Sequence, residues 1–109
     1  MRSKSEAAIL DRYNYFKIYC HYDEIVVSYN GVRKSPDFIG MREDGKVIFH
    51  EHFGLMNQAE YRNAYKSKLA FYELNGIVPW DNLIITFDNP NGSIDVSMID
   101  AQLKHFYKI

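Results

Sequence analysis

The chain has 109 residues, enough for one domain and too few for two independent hydrophobic cores. Hydrophobic residues make up 47% and charged residues 25%, which excludes a disordered tail. Thirteen Lys and Arg against fourteen Asp and Glu leave a net charge of −1, so binding of nucleic acid would need a local basic patch. The single cysteine, Cys20, excludes an internal disulfide. We expect a cytoplasmic protein without a membrane segment, with one domain over residues 1–109 that can be a fragment of a longer protein.

The first predicted element is a helix over residues 3–16. Ser3 opens an S-x-x-E pattern there, which is typical of the capping of a first helical turn. A strand is predicted over residues 22–29. It ends at the dipeptide Asn30-Gly31, which is typical of tight hairpin turns.

Two more strands are predicted over about residues 37–41 and 46–52, and a long helix capped by Asn57 follows over about residues 57–74. The run from Leu83 to Phe87 is short and almost wholly apolar, which is typical of a strand buried on both faces. A last helix is predicted over residues 95–107. Its expected inner face consists of Met98, Ile99, Leu103 and Phe106.

The predicted order of elements is α-β-β-β-α-β-α, which is an α/β fold. A strand that follows a long helix most simply pairs parallel to the strand before that helix, through a right-handed crossover. We therefore expect a mixed central β-sheet with flanking helices on both faces.

The turn between the second and third predicted strands decides which side chains share a face of the sheet. A two-residue turn would place Asp37 opposite His52 and turn Glu51 to the other face. A three-residue loop needs glycine at its last, left-handed position, and Gly45 stands there. We therefore expect the three-residue loop, which places Asp37 directly opposite Glu51.

Two carboxylates side by side at the edge of an apolar face repel each other, and a cation between them removes that cost. Carboxylate oxygens are hard ligands that suit Mg²⁺ or Mn²⁺, and the backbone carbonyl of His52 can add a third protein ligand. Water bound to such a metal is a nucleophile for phosphodiester hydrolysis. The alternative is that Asp37 and Glu51 are separate, solvated charges at two strand ends.

Two further charged residues can join this pair. Lys68 falls on the aromatic stripe of the long helix with Tyr65 and Tyr72, so its ammonium can face the carboxylates and polarise a scissile phosphate. Alternatively, the stem of Lys68 packs on the tyrosines and its head reaches water. Glu6 can supply a third acidic group, or it can serve only the capping pattern of the first helix.

Several motifs follow one another along nearly the whole chain: R-S-K-S-E at 2–6, P-D-F at 36–38, E-H-F-G at 51–54, K-L-A-F-Y at 68–72 and N-L-I-I-T at 82–86. In these motifs the chain resembles the PD-(D/E)XK nuclease superfamily, which has the restriction-endonuclease-like fold. Pro36-Asp37 is similar to the PD element, and Glu51 is similar to the second acid. The resemblance is closer still to a bacterial subgroup of helicase-associated nuclease-like domains with an E-H-F/L-G variant motif.

The resemblance implies a Mg²⁺- or Mn²⁺-dependent nuclease core that acts on DNA, with Glu6, Asp37 and Glu51 as its acidic set. The superfamily pattern has a lysine two residues after the second acid, where this chain has Phe53. Lysine migrates within the superfamily, so Lys68 is the natural replacement. The implied partners are DNA and a helicase or other domain of a full-length protein, and a homodimer is a further expectation. The alternative is a catalytically silent module of the same fold that binds DNA or a protein partner in DNA repair or a mobile-element system.

Other constellations carry less chemistry. His50 and His52 share a face and would suit zinc only if Cys20 and His21 met them, which no spacing indicates. The basic residues near the predicted hairpins are Arg33, Lys34, Arg42 and Lys46. We expect them either to contact backbone phosphates beside the metal site or to be ordinary solvated turn residues.

Overall fold

A four-stranded mixed β-sheet forms the centre of the computed structural model, which describes residues 4–22, 27–54 and 59–109. The elements are α1 (Lys4–Tyr15), β1 (Cys20–Tyr22), β2 (Val27–Tyr29), β3 (Val32–Lys34), β4 (Phe38–Met41), β5 (Val47–Phe53), α2 (Ala59–Leu74), β6 (Leu83–Phe87) and α3 (Val96–Tyr107). The main sheet has the order β1-β4-β5-β6, while β2 and β3 form a separate two-stranded sheet. A mixed α/β architecture is thus confirmed.

The turn between β4 and β5 is the predicted three-residue loop. The N–H of Arg42 donates to the carbonyl of Lys46 at 2.8 Å, which closes the loop at its base. Gly45, the last loop residue, has a φ of 91°, a left-handed conformation that side-chain-bearing residues rarely adopt. The local sequence therefore determines how the two strands are aligned.

This loop sets the register of the antiparallel β4–β5 pair. Phe38 lies opposite His50 in that ladder, and one more step along both strands brings Asp37 opposite Glu51. A slip by one residue would turn every side chain of a strand to the other face. The predicted register of the two acidic residues is therefore confirmed.

The strand after the long helix also lies where the sequence predicts it. β6 spans the predicted residues and pairs parallel to β5, with Glu51 next to Ile85. Leu83 and Ile84 are almost fully buried, as expected for a strand covered on both faces. This parallel pair lines up the carboxyl ends of β5 and β6 at one edge of the sheet.

The first half of the chain differs from the prediction. Of the residues predicted as one strand, 22–29, Tyr22 lies in β1, which pairs with β4, and Val27–Tyr29 form β2 in the separate two-stranded sheet; residues 23–26 lie outside the described residues. The Asn30-Gly31 turn is confirmed, with φ values of 50° and 79°, and it leads into the unpredicted strand β3. Within the described residues, five strands therefore precede α2, where three were predicted. A run of β-favouring residues does not reveal where a chain leaves one sheet for another.

Helices cover both faces of the sheet, as predicted. On one face α1 and α3 enclose a cluster of buried residues: Ile9, Tyr13, Phe38, Ile48, Ile84, Ile99, Leu103 and Tyr107. On the other face the end of α2 and the following turn enclose a second cluster: Phe71, Tyr72, Ile77 and Leu83, with Phe49, Leu69 and Ile85 against it. None of the helices in the described part of the chain is both long and apolar enough to cross a membrane.

The last helix begins where predicted, since the Asp95 side chain accepts a hydrogen bond from the N–H of Met98 and caps it. Its predicted inner face is partly wrong: Met98 is 54% exposed, and Tyr107 is buried in its place. The predicted caps Ser3 and Asn57 lie outside the described residues.

Tyr107 reaches the sheet only because residue 40 is glycine. A Cβ atom on Gly40 would lie 2.2 Å from the hydroxyl oxygen of Tyr107 and 2.9 Å from its Cζ. Contacts this short force the ring or the strand to move. The missing side chain of Gly40 thus makes room for a tyrosine from the far end of the chain.

We expect Gly40→Ala to lower the free energy of unfolding by about 1–3 kcal/mol, because the added methyl group overpacks the Tyr107 site. Tyr107→Phe in the same background should recover part of that loss, since it removes the closest atom. Gly54→Ala is the control, because its nearest contact would be an ordinary 3.8 Å. Urea unfolding of the four proteins tests this, and equal stability of Gly40→Ala and wild type would contradict it.

Candidate active site

Two acidic side chains lie buried at the end of the sheet where β4 begins and β5 ends. Asp37 is 6% exposed and Glu51 is 1% exposed. The Oδ2 atom of Asp37 accepts a hydrogen bond of 2.8 Å from the backbone N–H of His52, which ties Asp37 to β5. The solvated-charge alternative is therefore wrong for this pair, because water reaches neither residue freely.

Two side chains of α2 hold the Glu51 carboxylate. The Lys68 Nζ atom lies 2.6 Å from Glu51 Oε1, and the Tyr72 hydroxyl donates to Oε2 at 2.9 Å. Residues four apart share one face of a helix, so both side chains descend on the same carboxylate. The sequence prediction that Lys68 can face the acidic pair is confirmed, and with 27% of its side chain exposed it still borders solvent.

The electrostatics of this group favour a proton on Glu51. Burial, with the charge of Asp37 as a second cause, raises the pKa of Glu51 to about 7, against the opposing effects of Lys68 and Tyr72. Such a carboxyl group exchanges its proton near neutral pH. It therefore responds to any positive charge that approaches Asp37 and Glu51.

Binding of a small divalent cation by these two carboxylates stays a prediction. Mg²⁺ is commonly held by one or two carboxylates together with water and substrate phosphate, instead of by a complete protein cage. Among the residues that the structure describes, no group of three or more His, Cys, Asp or Glu side chains is arranged to hold a metal ion. A cation here would depend on Asp37 and Glu51, and the role of the His52 carbonyl stays a prediction.

Glu6 lies on α1, and α1 packs on the sheet face opposite the two acids. Glu6 therefore does not reach the acidic pair from a helix that covers the face of Asp37 and Glu51. The neighbouring Ser5 nevertheless hydrogen-bonds Asp88, just beyond β6, at 2.6 Å, so the start of α1 borders the same edge of the sheet. A functional role for Glu6 stays a prediction.

The histidines of β5 form a buried hydrogen-bond chain on the other face. His50 Nε2 and His52 Nδ1 both contact the Thr86 hydroxyl, at 2.9 Å and 2.8 Å. His52 Nε2 lies 2.8 Å from Asp88 Oδ1. The ring of His52 is thus hydrogen-bonded on this face of the sheet. The backbone N–H of the same residue donates to Asp37, which lies with the acidic pair.

Two tyrosines extend this chain into the core. The Tyr107 hydroxyl donates to the Tyr13 hydroxyl at 3.3 Å, and Tyr13 lies 3.0 Å from His50 Nδ1. Burial, with the charge of His52 as a second cause, lowers the pKa of His50 to about 3, so His50 is neutral and carries one ring proton. If Tyr13 donates to Nδ1, that proton lies on Nε2 and points to Thr86.

Sequence reasoning missed several of these partners. Tyr72 lies on the same predicted helical stripe as Lys68. Its position could therefore have indicated a second hydrogen-bond donor to Glu51. Thr86 was the one polar residue in an apolar strand, a pattern that favours a buried hydrogen bond. Asp88, in contrast, follows its strand like any loop residue and gave no signal.

The structure gives no support to zinc or cysteine chemistry within the described residues. Both ring nitrogens of His50 and of His52 contact protein hydroxyl or carboxylate oxygens. Burial raises the pKa of the half-buried Cys20 thiol to about 11, which keeps it protonated at neutral pH.

Two of the four basic candidates lie far from the acidic pair. Arg42 and Lys46 flank the β4–β5 loop, five strand residues from Asp37 and Glu51, a span of roughly 16 Å. Arg42 is paired with Asp44 at 2.7 Å, and Lys46 contacts Asp81. The expectation that they lie beside the carboxylates is therefore wrong, because the turn and the acids occupy opposite ends of the two strands. Phosphate contacts by Arg33 and Lys34, in β3, stay a prediction.

Comparison with known proteins adds no assignment. No protein-family model matches this chain, and no curated protein matches it either.

We expect Thr86→Val to destabilise the fold by at least about 1–3 kcal/mol, the cost of burying a polar group without its partner, because two histidine nitrogens lose the same hydroxyl. Thr86→Ser keeps the hydroxyl and should retain most of the stability. Chemical unfolding of both variants tests the role of the hydrogen bond, which would be contradicted by a valine variant as stable as the serine variant.

Glu51 should also make stability fall as pH rises. Its folded-state pKa of about 7 lies above the ordinary value of 4.5, so between these pH values the native state keeps a proton that the unfolded chain has released. The stability of Glu51→Gln relative to wild type should therefore increase from pH 4.5 to pH 7 and level off above. Urea unfolding across this range measures the difference.

Lys68→Met provides the companion test for this pH dependence. Its lost charge should raise the pKa of Glu51 and move the upper end of the window to higher pH, because Lys68 lowers that pKa in the native protein. A pH-independent difference between Glu51→Gln and wild type would show that the two states bind the Glu51 proton equally.

Proposed function

We propose that this chain is a metal-dependent DNA nuclease domain of the restriction-endonuclease-like fold that hydrolyses phosphodiester bonds. One observation carries the proposal: the Lys68 ammonium lies 2.6 Å from Glu51, in a strand whose register brings Asp37 opposite that residue. Two acids and a lysine from three separate elements thus converge on one edge of the sheet. The P-D element of the resembled superfamily and the E-H-F-G motif of its bacterial subgroup stand at the same two acids.

The lysine is the part of the motif that the sequence left in doubt. Phe53 occupies the usual lysine position, whereas Lys68 approaches the same carboxylate from α2. A side chain from a helix and one from a strand end can deliver the same charge to the same point. The contact between Lys68 and Glu51 therefore supports the migrated lysine of the proposal.

Asp37 and Glu51 would hold the cation, Mg²⁺ or Mn²⁺. When bound, it would neutralise the two carboxylates and polarise a phosphoryl oxygen. Hydrogen bonds within the protein already hold the two carboxylates in position. The His52 N–H holds Asp37, and Tyr72 holds Glu51, so neither carboxylate has to be immobilised when substrate arrives.

Lys68 contributes positive charge at the place where the phosphate gains negative charge. Its side chain is partly exposed, so it can contact a non-bridging phosphate oxygen while it stays near Glu51. Charge placed in advance at a water-poor site stabilises a transition state more strongly than a mobile surface lysine does. Loss of the Glu51 proton near neutral pH would restore the second anionic ligand.

A catalytically silent module of the same fold is the second candidate. Phe53 at the usual lysine position favours it, as does the fact that both Glu51 oxygens already accept hydrogen bonds from α2. In that case the buried Glu51–Lys68 pair would fasten α2 to the sheet, and the domain would bind DNA or a protein partner, such as a helicase, without cleaving.

We expect purified protein to cleave DNA with Mg²⁺ or Mn²⁺ and to lose that activity in EDTA. Lys68→Ala should reduce the rate by about 10²–10³-fold, the usual effect of removing one group that stabilises transition-state charge. Asp37→Asn should reduce it at least as much, because a ligand to the cation is lost. Gel assays on single- and double-stranded DNA measure these rates.

Lys104→Ala is the matched control, because Lys104 lies on α3 over the ring of Phe16, on the opposite side of the sheet. It should cleave like wild type. Cleavage retained by Asp37→Asn would contradict the proposed site. DNA binding without cleavage by folded wild type would favour the silent module instead.

A further inference from the structure

Three aromatic rings pack together next to the Glu51–Lys68 contact, and they have no role in the proposed nuclease function. Phe53 lies 4.8 Å from Tyr65 and 5.9 Å from Phe87, measured between ring centroids, and Tyr65 lies 5.5 Å from Phe87. The Phe53 and Phe87 planes differ by only 30°, so these two rings stack. We call these three residues the aromatic cluster.

The aromatic cluster shares the sheet face of the acidic pair. Phe53 is two residues after Glu51 in β5, so both side chains point to the α2 side, and Phe87 is the strand partner of Phe53 in β6. Tyr65 lies one helical turn before Lys68 in α2. The cluster therefore lies next to the Glu51–Lys68 contact, two residues further along β5 and one helical turn earlier in α2.

This separation has the scale of a nucleic-acid strand. Two residues of a β-strand span roughly 6.6 Å. This distance is short enough for a phosphate at Lys68 and a nearby base at the rings to belong to the same DNA strand.

The exposure and charge of the cluster fit such an occupant. Phe87 is 41% exposed, whereas Phe53 and Tyr65 are half-buried, so one ring of the cluster borders solvent and packs against the other two. Arg62 lies three residues before Tyr65 on α2, on the same side of the helix, and adds positive charge next to the cluster. Aromatic rings next to basic residues are the usual elements of single-strand binding sites, because every base has a π-face.

From this arrangement we propose that the aromatic cluster binds unpaired bases and that the substrate is single-stranded DNA or a single-stranded end. The inference rests on the proposed nuclease function, since it names the substrate class of the same site. Bases inside a duplex already stack on their neighbours and offer no free face to Phe87. The cluster therefore discriminates by strandedness and not by sequence.

The test is binding of fluorescent oligonucleotides by anisotropy in EDTA, where no cleavage occurs. One probe is oligo-dT, and the other is an abasic strand of equal length, which keeps the phosphates and lacks the bases. Phe87→Ala should weaken oligo-dT binding about 5- to 150-fold, the range for losing one stacked base, and leave abasic binding unchanged.

Further variants separate stacking from apolar bulk and from folding. Phe87→Tyr should bind oligo-dT like wild type, whereas Phe87→Leu, which keeps apolar volume without a ring, should bind as weakly as Phe87→Ala. Tyr15→Ala removes a 67% exposed ring on α1, away from the site, and should have no effect. Thermal unfolding identifies variants that fail to fold, in which case the leucine and tyrosine pair decides the comparison.

Several results would overturn the inference. The first is a Phe87→Leu variant that binds oligo-dT as tightly as wild type. The second is a Phe87→Ala variant that loses equal affinity for oligo-dT and for the abasic strand. The third is a wild-type protein that binds duplex DNA more tightly than single strands. The cleavage assay on Asp37→Asn is independent of these results. Metal-dependent cleavage with an unaffected Phe87→Ala would overturn only the inference, whereas ring-dependent binding without any cleavage would overturn only the nuclease function.

Discussion

The left-handed turn at Gly45 is the constraint on which the candidate site depends. Together with the hydrogen bond from Arg42 to Lys46, it fixes the register in which β4 pairs with β5. That register determines which side chains of the two strands share each face of the sheet. On one face the alignment brings Asp37 to Glu51. On the other it brings Phe38 to His50. A glycine at the tip of a hairpin, far from the two acids, thus decides which side chains lie opposite each other.

Strand β5 consequently carries two different environments, one on each side. Glu51 and Phe53 face α2, where a lysine, a tyrosine and aromatic rings surround them. His50 and His52 face the side of α1 and α3, where their ring nitrogens form hydrogen bonds with hydroxyl groups and with Asp88. The backbone N–H of His52 joins the two sides through Asp37. Asp37 on the acidic side is therefore hydrogen-bonded to the same residue whose ring lies on the histidine side.

Much of this arrangement follows from local sequence signals. The loop ending in Gly45, the strand at 83–87 and the inward Lys68 each rest on a pattern of a few residues, and each is confirmed. The short strand β3, the sheet of β2 and the burial of Tyr107 were missed. These depend on contacts between distant segments: Tyr107 reaches β4 only because Gly40 has no side chain. The same holds for Thr86 and Asp88, whose roles arise only when β6 lies beside β5.

The contacts that join α1 to the end of the chain also bear on how the protein folds. Arg12 binds Asp100 through two hydrogen bonds, of 2.7 Å and 2.8 Å, and Tyr13 meets Tyr107, across 88 and 94 residues of sequence. Closing such long loops is entropically costly and gains nothing until both partners exist. During synthesis, α1 must therefore wait for α3 to emerge from the ribosome before its buried face is covered. The hydrophobic surface of the first helix, including Ile9 and Tyr13, is exposed to aggregation during that interval.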